Sequence, residues 1–157
     1  MSQISKYVAM GEISYSDTAK RKGIDNEPKG EHLENMKITC EAIHTPIREH
    51  FGKPIFISSG YRSEALNKAI GGSFTSDHCK GRAIDLDQDY KGTGVTNRMV
   101  FDFVKDNLEF DQLIWEFGSS ENPDWVHVGY RPGANRKQIL KAVRDKNGKT
   151  SYVPYKG

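Results

Sequence analysis

The sequence predicts an α+β domain in which helices pack on one side of a largely antiparallel β-sheet. Three observations carry this. Apolar residues recur at spacings of three and four in the first half of the chain, short β-branched segments dominate the second half, and an Asn-Gly pair at 147–148 marks a hairpin turn between the last two of them. Helices gathered early and strands gathered late suit an antiparallel sheet better than a doubly wound parallel one.

The elements follow in order. Ser16 is read as the cap of a helix over Asp17–Lys22 that Gly23 ends. Leu33, Met36, Cys40, Ile43, Ile47 and Phe51 form one continuous apolar stripe, the clearest helix of the chain, with Pro46 expected to bend it or to mark its last turns. "PIFISS" (54–59) reads as a buried strand that delivers "GYRS" at its end. Ser63 then caps a helix through Leu66 and Ile70, stopped by Gly71 and Gly72. "GRAIDLD" is a second strand, Val95, Met99, Phe103 and Val104 mark another helix, and "DQLIWEF" and "DWVHVGY" add two strands. "KQILKAVRD" and "TSYVPY" flank the Asn-Gly turn. One domain is expected over 1–157, with a short helical segment over 1–30 and a C-terminal β-hairpin over about 137–155.

The totals exclude several function classes. With 23 basic against 21 acidic residues the net charge is +2, too mild for a nucleic-acid groove. Basic residues do gather late, from Arg131 through Arg136, Lys137, Lys141, Arg144 and Lys146 to Lys149, and read as a solvated hairpin face. No stretch approaches a membrane span, and the amino terminus lacks an apolar run of signal-peptide length. Cys40 and Cys79 make no disulfide framework and read as free thiols of a reducing compartment. Synthesis in the cytoplasm as a monomer is therefore expected.

The chemistry concentrates in "SDHCKGRAIDLD" (76–87), where Asp85 sits among Ala83, Ile84 and Leu86. A carboxylate leaving water unpaired costs several kcal/mol, so a cation is expected beside it. Of five histidines, His32, His44 and His50 fall on the long helix and read as surface or boundary residues. His78 lies seven residues before Asp85 with Gly81 between them, and His127 lies inside "DWVHVGY". Two imidazoles and a carboxylate are the ligand count of a catalytic zinc site that keeps its fourth position open. On spacing alone, two unrelated core or surface histidines compete with that reading. There is no HExxH helix, and His78 to Asp85 is too long for the short H-x-D pair of non-haem iron oxygenases.

"SDHCKGRAID" resembles S-x-H-x-x-G-x-A-x-D, the zinc-binding signature of the zinc D-Ala-D-Ala carboxypeptidase family, at Ser76, His78, Gly81, Ala83 and Asp85. That family, peptidase family M15, includes D-Ala-D-Ala dipeptidases and phage L-alanyl-D-glutamate endolysins and shares its fold with hedgehog signalling domains. "SSGYRS" resembles its S-G-Y-R-S block, "DWVHV" its acid-x-x-His block, and "SDTAKRKGIDN" the opening of the small phage members. The three blocks stand in the family's order and span residues 58 to 128.

The resemblance implies a hedgehog/DD-peptidase-like fold and one Zn2+ held by His78, Asp85 and His127. Bound zinc lowers the pKa of its water to about 7, and a nearby carboxylate must then move the proton to the leaving amine. Asp124 occupies the family's base position and Arg62 its substrate-contacting position, with Ser76 and Trp125 as further substrate-binding candidates. Residues three apart on one strand point to opposite faces, a difficulty that Pro123 eases by placing Asp124 in the loop before the strand. Glu116, at the end of the neighbouring strand, is the alternative base. Cys79 and Asp87 are read as a bystander thiol and a solvated strand end, whereas Trp115, Trp125 and Tyr130 fit either cleft or core. The implied function is a zinc metallopeptidase acting on the peptide stem of peptidoglycan, as a phage or prophage wall-lysis enzyme that reaches the wall through a membrane lesion made by another protein. The competing class is a non-catalytic peptidoglycan-binding module that keeps zinc as a structural pin.

Overall fold

The computed structural model describes residues 3–73 and 75–157. Residues 3–9, expected to be helical, instead pair as a ribbon of β1 (Gln3–Ser5) and β2 (Val8–Ala9), whose Ile4 and Val8 are buried in the core. Then follow α1 (Met10–Ser14) and α2 (Asp17–Lys22). Ser16 Oγ accepts from the Ala19 amide and Gly23 closes α2 in the left-handed region, as its sequence predicts.

The long apolar stripe is real but its helix is interrupted. α3 (Gly30–Thr39) passes through a π turn, Cys40–His44, into α4 (Thr45–Phe51). Pro46 has no N–H to donate one turn back, and its ring crowds the carbonyl four residues earlier. The preceding turn widens instead, with the Thr45 amide reaching the Cys40 carbonyl. This wide turn also carries His44 inwards. Expected at the surface or boundary, it is 1% exposed, with Nε2 on the Ile55 carbonyl at 2.7 Å.

The remaining elements are β3 (Ile57–Ser59), α5 (Glu64–Ala69), a 3-10 turn at Asp77–Lys80, β4 (Ala83–Leu86), α6 (Asn97–Asn107), β5 (Gln112–Glu116), β6 (Trp125–Gly129), β7 (Gln138–Arg144) and β8 (Thr150–Pro154). "PIFISS" is not a buried strand. Only its end is β3, an edge strand paired with β4 alone, and Phe56 stays 36% exposed.

Six strands form one sheet in the order β3-β4-β6-β5-β7-β8, antiparallel except between β5 and β7. Successive side chains on a strand take opposite faces. One face sends Ile84 and Leu86, Leu113 and Trp115, and Val126 and Val128 into the core, all at most 1% exposed. There they meet Met36, Ile43 and Ile47 from the broken helix and Val100, Phe101 and Val104 from α6. The face of α6 is rotated from the predicted one, leaving Met99 40% exposed. Of the aromatics that fitted either role, Trp115 is core and Tyr130 packs against it. The alternate residues Asp85, Ile114, Glu116, Trp125 and His127 take the other face, which lines a pocket open to solvent.

Candidate active site

That face floors an open cleft of about 1070 Å³, lined by Arg62, Ser76, His78, Asp85, Glu116, Trp125 and His127. Asp85 and His127 are direct partners across β4 and β6, so the ladder itself sets two of the three candidate ligands side by side. His78 arrives from the 3-10 turn. Ser76 Oγ accepts the His78 amide at 3.2 Å, and Gly81 ends the turn at φ +74, where an added Cβ would stand 2.4 Å from the His32 carbonyl oxygen.

His78 Nδ1 lies 2.7 Å from the Gly60 carbonyl oxygen. A carbonyl only accepts, so Nδ1 carries the proton and Nε2 presents a lone pair. That lone pair lies 3.3 Å from Asp85 Oδ1, and His127 Nδ1 lies 2.9 Å from the same oxygen. Facing acceptors repel unless a proton or a metal stands between them. Tetrahedral donors around zinc are roughly 3.3 Å apart, given bonds of about 2.0–2.2 Å. The three donor atoms lie within 4.8 Å of one another. A carbonyl on the far nitrogen of a ligating imidazole is the usual orienting device. The residues present therefore fit a divalent ion.

The charges agree with this. Burial alone would raise the Asp85 carboxyl, but the His78 and His127 rings outweigh it and hold the group far below the usual carboxylate range. Burial alone would lower His127, but its hydrogen bond to Asp85 and that residue's charge raise it. Arg62 Nη2 stands 3.6 Å from Asp85 Oδ2, and the Arg62 amide donates to the His78 carbonyl at 3.1 Å.

The chain matches the family described as Peptidase M15 over residues 6–129, a span that holds all three ligand candidates. It belongs to the peptidase M15 family. No curated protein matches the chain. Members of the family are zinc-dependent, and in this M15 peptidase domain His78, Asp85 and His127 are the group able to hold the ion.

The two carboxylates considered as bases are placed differently in this M15 domain. Asp124 is in the loop before β6, as Pro123 implies, but its side chain is exposed and is not part of the cleft lining. Glu116 is 6% exposed and lines the cleft. Its carboxyl is pushed up to about 7, chiefly by burial, with His127 pulling the other way and Asp85 adding to the rise. Trp125 also lines the cleft, edge-on to Phe117 with centroids 5.6 Å apart. Asp87 is no solvated strand end, since it accepts from Asn97 Nδ2 at 3.0 Å and from the Asp89 amide at 3.1 Å. Cys79 is a free, half-buried thiol outside the ligand group.

Asn26 and Asp111, which no sequence pattern marks, position parts of the site. Asn26, buried, donates to the Ser14 and Tyr61 carbonyls and accepts from the Ser63 amide, which clamps both ends of the "GYRS" turn. Asp111, fully buried, holds Arg136 through two side-chain bonds of 2.8 Å and meets Arg131 Nε at 3.3 Å. Arg131 in turn binds Asp77, the neighbour of His78, at 2.9 Å. Arg131 and Arg136 lie more than fifty residues from Asp77, and Asp111 more than thirty, so nothing in the local pattern pairs them. The late basic residues are thus only partly a solvated face.

Proposed function

We propose that the protein is a zinc peptidase that hydrolyses an amide bond in the peptide stem of bacterial peptidoglycan. The observation that carries the reading is the His78, Asp85 and His127 group on the floor of an open cleft, flanked by a buried carboxyl titrating near neutrality and by a guanidinium. A structural pin needs neither flanking group. A bound zinc ion would act as a Lewis acid toward the scissile carbonyl and lower the pKa of a water molecule. Within the chain, Glu116 accepts a proton from the attacking water and returns it to the leaving amine, a role that asks for a group poised near the working pH. Arg62 places a planar cation where negative charge collects on the carbonyl oxygen or where a substrate carboxylate docks. Asp124, the family-position carboxylate, is the rival base, and the paired substitutions described below separate the two.

The cleft extends beyond the ligand group, its lining reaching Gly72 and Ser73 and, three strands from His127, Tyr152. This supports an endopeptidase of the L-Ala-D-Glu type over a D,D-carboxypeptidase, whose cleft closes beyond the leaving residue. The setting we favour is phage or prophage wall lysis, with a tail-borne wall hydrolase as the alternative setting. Among the described residues no helix is long and apolar enough to cross a membrane.

Incubating the zinc-loaded protein with purified peptidoglycan and with a defined muropeptide, then weighing the fragments by mass spectrometry, tests the reading and fixes the bond. Protein that sediments with the wall and releases no fragment would identify a binding module instead.

A further inference from the structure

The C-terminal hairpin of β7 and β8 lies outside residues 6–129, the span matched to the family, yet it supplies a large part of the cleft. The register shows how. Glu116 pairs with Ala142, Ala142 with Tyr152, and Arg144 with Thr150, so Arg144, Thr150 and Tyr152 continue the face that carries Glu116 and His127.

We propose that this hairpin face is a carboxylate-binding subsite for the peptide stem, with Arg144 as its recognition residue; the inference rests on the peptidase reading above. Arg131 and Arg136 are engaged by Asp77 and Asp111 and Lys137 by Glu109, and of the hairpin's basic groups Lys141, Lys146 and Lys149 are not part of the cleft lining whereas Arg144 is. Among the described residues Arg144 makes no ion pair. Its guanidinium lies 3.9 Å from the centroid of the Phe117 ring. Phe117 is itself held in an unusual way, at φ +56, with its amide on the Ala142 carbonyl at 3.1 Å and its ring against Trp125. A guanidinium seated on an aromatic face keeps its N–H edge free for bidentate binding of a carboxylate.

Arg62 already places a cation beside Asp85 at the ligand group, so Arg144 is a second, separate cation farther along the same cleft. Arg144 is two strands from His127, about 10 Å across the sheet, and lies four residues beyond Leu140, the β7 residue level with His127, so the two are roughly 16 Å apart, or about five extended residues. The subsite therefore reads a carboxylate on a different residue from the one that donates the scissile carbonyl. Stem peptides offer such groups, internally and at their end.

The test compares kcat/KM of the zinc-loaded wild type, Arg144→Gln and Arg144→Lys on a muropeptide with free carboxylates and on counterparts amidated at the internal or the terminal carboxylate. Wild type should prefer one free carboxylate at least about tenfold, as expected for a charge-assisted pair. That preference should collapse toward unity in Arg144→Gln, mainly through KM, and return in part in Arg144→Lys. The amidated counterpart that loses the preference names the carboxylate. A preference unchanged in Arg144→Gln, or no wild-type preference between the substrates, would overturn the subsite. Wild type that cleaves none of them would overturn the peptidase reading and the subsite with it.

Discussion

Glu116 and Trp125 are direct partners across β5 and β6, and this pairing aims both side chains into the cleft that holds His127. Asp124 stands one residue outside the ladder, tied to Glu116 only through its amide on the Glu116 carbonyl at 2.9 Å. On this geometry Glu116→Gln should lower kcat by 10²-fold or more, the usual scale for a proton-transfer group. Asp124→Asn should cost less than about threefold. Steady-state rates on a defined muropeptide, with zinc content measured beside them, decide the assignment, and the reverse ranking would make Asp124 the base.

The raised pKa of Glu116 is also a statement about stability in the metal-free protein. Its carboxyl is protonated to about pH 7 when folded and to about 4.5 otherwise. Its contribution is therefore fully present below pH 4.5 and lost as pH rises through 7, on the order of 3 kcal/mol in all. Glu116→Gln should remove that loss. Melting of stripped protein at pH 5 and pH 8 should show the variant gaining on wild type only at the higher pH.

Metal affinity should fall with acid earlier than an ordinary histidine site would allow. Asp85 raises the pKa of His127 above 6.5, so protons compete with the ion from a correspondingly higher pH. Zinc titration at several pH values should show proton release on binding. Asp85→Asn should weaken binding and shift its pH dependence downward, because the charge that holds the proton on His127 has gone.

Gly60 orients a ligand through its carbonyl, which receives His78 Nδ1–H. A Cβ there would stand 2.7 Å from the backbone of Ile13, contact that real structures do not tolerate. Gly60→Ala should displace that carbonyl and lower zinc affinity by about 10- to 100-fold, the range seen when such supporting partners are lost. Competition with a chromogenic chelator measures this directly. Unchanged affinity would show that the His78 ring is held by other means.

Asp111 is the buried anion between Arg131 and Arg136. Replacing it by Ala removes its charge-assisted bonds but leaves guanidiniums that are 38% and 54% exposed, one still holding Asp77 beside His78, and should cost about 1–3 kcal/mol of stability. Chemical denaturation checks the figure. Removing Arg136 alone strips two bonds from the buried Asp111 carboxylate and leaves it Arg131 at 3.3 Å, and should cost at least as much.

Local patterns settled much of this protein before any folding was considered. The cap at Ser16, the stop at Gly23, the hairpin turn at Asn147 and Gly148 and four of the cleft-forming strands follow from interactions among residues close in sequence. The signature at Ser76 to Asp85 is legible for the same reason, since a capped turn, a glycine and a strand lie within ten residues. Pro46 disturbs its helix for a local reason, but that the widened turn carries His44 onto the Ile55 carbonyl depended on what the helix packs against. Only the sheet register decided that Glu116 enters the cleft while Asp124 stays outside it. Strand order is set by contacts between residues far apart in the chain, and no local periodicity encodes which strand becomes the neighbour of which. The same holds for Asp111, whose burial among arginines is a product of the assembled sheet edge. For this chain, then, the candidate ligand types and their host segments are properties of sequence, and the placement of carboxylates and guanidiniums around them is a property of the register.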